Sequence, residues 1–206
     1  MMVMASSSDS ETFTEKARRA QLLKAAIDTV NEIGYPNASL SAIAKRAGAA
    51  KSAITYYFAT KEALLLQVVD HVFTDIGNLQ VQAVAAHDEP RARLRAYAQS
   101  YLDYADTHRA EIVAGVEILV SHRGADGIPL YLTTTDEDSA LLRQILSEGM
   151  QQGLFRTLPL HLAVSLVESL LDLSPTELQR DLNADLTELN AEIIRIILRG
   201  LEPSIE

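Results

Sequence analysis

Residues 40–65 read LSAIAKRAGAAKSAITYYFATKEALL, and the reading of this stretch decides the fold. Leu40, Ile43, Ala44 and Ala47 recur at the spacing of one helical face, and a second short apolar-periodic segment runs from Ser52 to Phe58. Between them, Gly48 supplies the residue that enters the left-handed region without steric cost, which is how a helix is commonly ended. Two short helices joined by a tight, glycine-containing turn form a helix-turn-helix, the unit that places its second helix in a DNA major groove.

Upstream, Thr14 is a plausible N-cap for a helix that runs to about Ile33, with Leu23, Ala26, Ile27, Val30 and Ile33 on one stripe and Gly34 and Pro36 as its stop. Ser39 then caps the helix that begins at Leu40. Two helices this short cannot bury their own apolar faces, so residues 13–61 are expected to form one three-helix DNA-binding unit. The serine-rich residues 1–12 are expected to be a mobile tail.

Downstream, Thr60 is an N-cap candidate for a long helix that carries on to Val84 with Glu62 in its first turn. Further helical patterns run from Arg91 to Thr107 and from Glu111 to Val120, then from the acids at 136–138 to Gly149 or Gly153. Pro159 opens another, Ser174-Pro175-Thr176-Glu177 has the form of a capping box, and a last helix spans about Leu186 to Arg199. The β-branched run Thr133–Thr135 has no strand to pair with. The chain therefore reads as all-α, with about nine helices: the amino-terminal unit and a larger ligand-binding and dimerisation body over residues 62–206.

Charge divides the chain at the same place. Residues 1–61 carry eight basic and five acidic side chains, whereas residues 62–206 carry ten basic and 23 acidic, and all five lysines precede Glu62. One end suits phosphate and the body repels it, which favours binding DNA in one orientation.

The order of a first helix, the stretch from Leu40 to Leu65 and an acidic all-helical body resembles the TetR family of transcriptional regulators. The resemblance is carried by Ile43-Ala44, Ala47-Gly48, Lys51-Ser52-Ala53-Ile54, Tyr56-Tyr57-Phe58, Ala59-Thr60 and Lys61-Glu62. It covers about 50 residues; beyond Val84 it is one of architecture. Two positions depart from the family pattern: Thr55 stands where tyrosine is frequent, and Ala53 where threonine is frequent. The resemblance implies a homodimer, a palindromic double-stranded DNA operator, and a small-molecule effector that binds the body and releases DNA. By position, it places Ser52, Ala53, Thr55 and Tyr56 toward the groove and Lys51, Tyr57 and Lys61 toward phosphates, with Ser39 also at the DNA surface. Lys45 and Arg46 either touch DNA or form a solvated face.

In the body, Tyr97, Tyr101 and Tyr104 form a stripe that either packs the core or, with Glu117 and His122, lines an effector pocket. Glu117 lies inside an apolar run, so it either pairs with an arginine or awaits a cationic or hydrogen-bonding ligand. The five histidines are scattered without metal-ligand spacing, and there is no cysteine, phosphate-cradling glycine loop or nucleophile elbow. Neither a catalytic function nor a metal or other cofactor is expected. With no secretory pattern and no long apolar run, the expected location is cytoplasmic, away from the membrane.

Overall fold

Helix α1 (Phe13–Asn37) is set by a reciprocal cap: Thr12 Oγ1 accepts from Glu15 N at 3.3 Å, while the Glu15 carboxylate accepts from Thr12 N at 2.8 Å. Two otherwise orphaned donors are satisfied together, so the helix starts two residues earlier than the Thr14 cap expected from sequence. The structure is a computed structural model that describes residues 12–133 and 135–203; apart from Thr12, the expected tail lies outside the described residues.

α2 (Leu40–Ala47) and α3 (Lys51–Tyr57) follow. Ser39 Oγ accepts from Ala42 N at 3.1 Å to begin α2, and Gly48, at φ 59°, ends it. Leu22, Val30, Ile43, Ile54 and Phe58 are buried together and close the three helices over a common core. α4 (Lys61–Ala85) begins where Thr60 Oγ1 accepts from Ala63 N at 3.1 Å, as the sequence indicates.

α5 (Pro90–Thr107) and α6 (Arg109–Ser121) pack against α4, and α1 lies across both α4 and α6, so the amino-terminal unit rests directly on the body. α4 and α6 come close at Gly115, where an added Cβ would stand 3.2 Å from a methyl of Val72. α7 (Ala140–Gln151), α8 (Leu160–Leu171), α9 (Leu173–Arg180) and α10 (Thr187–Gly200) complete the bundle, with a 3-10 turn at Leu130–Leu132. Among the described residues there are thus ten α-helices, and extended pairing is limited to a single bridge between Arg123 and Pro129.

Two helix starts in the body differ from the sequence reading. The acids at 136–138 precede α7 rather than opening it, because the Asp138 carboxylate accepts from Thr135 N at 2.6 Å and closes its own turn. The capping box at Ser174 does not form: α9 continues from α8 through Asp172, and Ser174 is buried inside its first turn. Pro175 is tolerated there because N–H groups in a first turn have no intrahelical acceptor to lose.

α7 ends by folding the chain back on itself. Gly153 takes φ 71°, and the N–H groups of Leu154 and Phe155 both donate to Gly149 O, which lays the buried Phe155 ring against the Gly149 Cα. A Cβ at position 149 would overlap that ring. Gly149→Ala is expected to destabilise the fold by about 1–2 kcal/mol, overpacking outweighing the better helix propensity of alanine. A lowered urea midpoint at unchanged slope is the expected result.

Candidate nucleic-acid interface

The short helix α3 divides cleanly by side-chain position. Ile54 is buried against the unit's core, Ala53 and Tyr57 are half-buried, and Lys51, Ser52, Thr55 and Tyr56 face outward. Tyr56 is 75% exposed and meets the half-buried Tyr57 edge to face, 5.0 Å between ring centroids. Tyr57 in turn lies under the Arg19 guanidinium, which is 5.9 Å from its ring and 5.0 Å from that of Phe58. The two tyrosines therefore differ: Tyr56 projects, while Tyr57 is held against the core.

Thr55 Oγ1 donates to Ser52 O at 3.1 Å, so its hydroxyl proton is occupied within the helix and the groove is offered lone pairs and a methyl group. Such a side chain accepts from the exocyclic amine of adenine or cytosine, or contacts a thymine methyl. Lys51 and Lys45 are exposed and make no ion pair among the described residues, whereas Arg46 is paired with Glu32. Ser39 is exposed, with its Oγ engaged as the α2 cap.

Behind this face lies a joint that the sequence did not reveal. α1 leaves helical geometry at Gly34 (φ 78°, ψ 156°), and the next residue, Tyr35, is held at every polar atom by groups from α4 and from α6 and its end. Its N–H donates to Glu117 Oε1 at 2.6 Å, its carbonyl accepts from Lys61 Nζ at 2.8 Å, and its hydroxyl shares a 2.8 Å hydrogen bond with His122 Nδ1. Lys61 Nζ also lies 4.7 Å from the centre of the Tyr35 ring. Burial, and then the charge of Glu62, push the Tyr35 phenol above its ordinary pKa, so it stays a neutral hydrogen-bonding group. Nearby, Asn31 Nδ2 donates to Ala110 O at 2.8 Å, a second tie between α1 and α6.

Glu117 has no arginine partner among the described residues; its Oε1 accepts from the Tyr35 backbone N–H. Lys61, expected at a phosphate, has its ammonium turned toward the end of α1. Two signals for the joint stood in the sequence, the helix stop at Gly34-Tyr35-Pro36 and Glu117 in its apolar run, and neither says that the two meet.

The five residues considered for an effector pocket fall into two groups. Glu117 and His122 belong to the joint. Tyr97, Tyr101 and Tyr104 are buried along α5; Tyr101 donates to Asp172 Oδ1 at 3.2 Å, and Tyr104 stacks on His108 at 4.4 Å. Burial pushes all three phenols up, Tyr97 to about 12, and it also raises the Glu168 and Asp172 carboxyls beside them. Tyr97 and Tyr101 thus line a polar seam inside the body between α5 and the junction of α8 with α9, whereas Tyr104 lies near Asp75 of α4 and Glu111 of α6.

Residues 22–68 match the family model for bacterial regulatory proteins of the tetR family. An HTH-type transcriptional regulator BetI from Yersinia pestis (strain Pestoides F) is 41% identical over 88 residues, 42% of this chain and 44% of that protein. The match therefore spans less than half the length of the curated relative. Over most of the chain the likeness is one of fold. The TetR family transcriptional regulator PfmR from Thermus thermophilus superposes with a TM-score of 0.73 at 24% identity, covering 88% of this chain and 98% of that one. The regulator FadR from Bacillus subtilis, solved in complex with stearoyl-CoA, gives 0.73 at 22% identity, covering 89% and 99%.

The joint makes its own test. Glu117→Ala leaves the Tyr35 N–H without its charged acceptor and is expected to cost about 2 kcal/mol, whereas Glu117→Gln, which retains an amide oxygen, is expected to cost less. Chemical unfolding of the two variants measures the difference; equal midpoints for Ala and Gln would show that the hydrogen bond contributes nothing.

Proposed function

We propose, from the premise that the chain belongs to the TetR family through its amino-terminal domain, that it is a homodimeric, sequence-specific DNA-binding regulator. In this reading it is a repressor, released from a palindromic operator when a small molecule binds in the body, and the functional boundary falls between Lys61 and Glu62. The observation that carries the reading is the outward face of α3, with Lys51, Ser52, Thr55 and Tyr56 side by side on the only lysine-bearing part of an acidic protein. Lys51 meets phosphate, Thr55 and Tyr56 meet bases or sugar, and Ser39 and Lys45 flank them. With Ala53 half-buried and small, few side chains read base edges directly.

The dimer is supported by uncovered apolar surface. On α8, Leu162 and Leu166 are 43% and 45% exposed, Leu173 at the start of α9 continues their line, and on α10 Ile196 is 44% exposed. Helices with such faces pair with their symmetry mates as a four-helix bundle. Two copies of α3 then reach successive major grooves, ~34 Å or a multiple apart. The effector is placed among the body helices, beside the tyrosine seam; the FadR relative that holds stearoyl-CoA supports a body able to accept a ligand. Its signal reaches the reading unit through α4 and α6, the two helices that grip Tyr35.

Lys51→Ala is expected to weaken binding to all DNA sequences and to lower the salt slope by about one unit, with no change in the unfolding midpoint. Lys61→Ala is expected to lower DNA affinity and the midpoint together, because its ammonium holds the end of α1; a fluorescence titration across salt concentrations, paired with a melt, separates the two. Leu166→Glu combined with Ile196→Glu is expected to give a folded monomer that has lost operator binding. Sedimentation that found the unaltered protein monomeric at micromolar concentration would sink the dimer.

A further inference from the structure

The ten basic residues of the body are all arginines, and four of them line one groove. Arg91 and Arg95 come from the first turns of α5, Arg195 and Arg199 from the last turns of α10, and together they border an opening of about 550 Å³. The lining holds a single acid, Glu202, which accepts from Arg91 at 2.8 Å; Arg195 pairs with Glu192 beside the groove. Arg95 and Arg199 have neither an ion pair nor a hydrogen-bonding partner among the described residues.

A body with a balance of 13 surplus acids has no electrostatic reason to gather four guanidiniums and to leave two of them without a carboxylate. Like charges brought together cost stability, and the cost is recovered when an anion enters. We propose that this groove binds a small, multiply charged anion of the phosphate ester or diphosphate class. Guanidinium forks match phosphate oxygens in pairs, and four forks from two helices match a group that presents several such oxygens. Ala191, Ile194 and Leu198 supply an aliphatic floor, and no aromatic side chain lines the groove, so the phosphate part of the ligand is what is recognised and a base would find nothing to stack on.

The groove is separate from the functions already assigned. It shares no residue with the tyrosine seam or the α3 face. On α10, Ile194 of its floor lies about 160° around the helix from Ile196 of the proposed dimer face, while Arg199 lies about 60° from it, so the floor faces away from the dimer face and the rim adjoins it. A ligand here ties the start of α5 to the end of α10, and α5 packs along α4, the helix that carries the reading unit.

Calorimetric titration of the full-length protein with inorganic pyrophosphate tests the proposal. The expected result is saturable binding, one anion per chain, with orthophosphate about tenfold weaker. Arg95→Ala with Arg199→Ala is expected to weaken pyrophosphate by about tenfold or more, and the corresponding double lysine variant by less, since it keeps the charges and loses the forks. Arg180→Ala, which removes a guanidinium paired with Glu177 on α9, is expected to bind as the unaltered protein does. In anion-free buffer the double alanine variant is expected to melt no lower than the unaltered protein, because repulsion is relieved; a purely structural role predicts a lower melt. Absence of binding at millimolar pyrophosphate, or equal binding by the double alanine variant, would overturn the site. Displacement of pyrophosphate by a polyglutamate peptide at lower concentration would reassign the groove to an acidic protein partner and overturn the small-anion assignment.

Discussion

One hydrogen bond, from the Tyr35 N–H to Glu117 at 2.6 Å, decides how the two parts of this molecule are joined. α1 cannot continue through Gly34 and Pro36, and a helix that stops leaves its peptide groups looking for partners. Water satisfies them at most helix ends. Here the α6 carboxylate takes the N–H and the α4 ammonium takes the carbonyl, so an anion and a cation from two body helices hold opposite poles of one residue. The phenol then reaches His122 at the end of α6, which fixes the side chain as well as the backbone.

From this follows the placement of everything in front of it. α2 is attached to α1 through Gln21, whose amide donates to Ala47 O at 3.0 Å, and α3 is attached through Ile54 and Phe58 in the shared core. The α3 face therefore has no independent position: its tilt is the tilt of α1, and the lower end of α1 is held by Tyr35. Exposed ion pairs such as Lys24 with Asp28, which is 3.5 Å long, contribute little to that positioning, since solvent and salt screen them.

The sequence made some of this legible and hid the rest for a physical reason. Caps and stops are local: Ser39, Gly48 and Thr60 act on groups within four residues, and each is found where the pattern puts it. The outward residues of α3 were also legible, because Ile54 and Phe58 fix the inward side by periodicity. Glu117 was visible as an anomaly in an apolar run, but its partner is 82 residues away and is a main-chain N–H, which no side-chain pattern announces. The arginine groove was hidden in the same way, since α5 and α10 are remote in sequence and their four arginines look like solvated surface until the helices are laid together. Ser174 misled because a capping box and the interior of a first turn share the same residues, and only the direct succession of α9 on α8, with Asp172 as the cap between them, separates the two.

The chemistry of the joint also bears on how large a signal it can pass. Turning a population from 1:99 to 99:1 takes a difference of ~5.5 kcal/mol between the two states. Hydrogen bonds to charged groups contribute about 1.5–3 kcal/mol each. Tyr35 makes two of these, to Glu117 and Lys61, and a third hydrogen bond to His122. Loss of all three in one state and their retention in the other matches the size of a full switch, while loss of any one alone gives a partial response. Because Glu117 and His122 lie on α6 and Lys61 on α4, a displacement of one helix past the other breaks the set unequally. The close contact of Gly115 with Val72 is where such a displacement is most constrained, so α4 and α6 are expected to move past each other by discrete repacking at that contact.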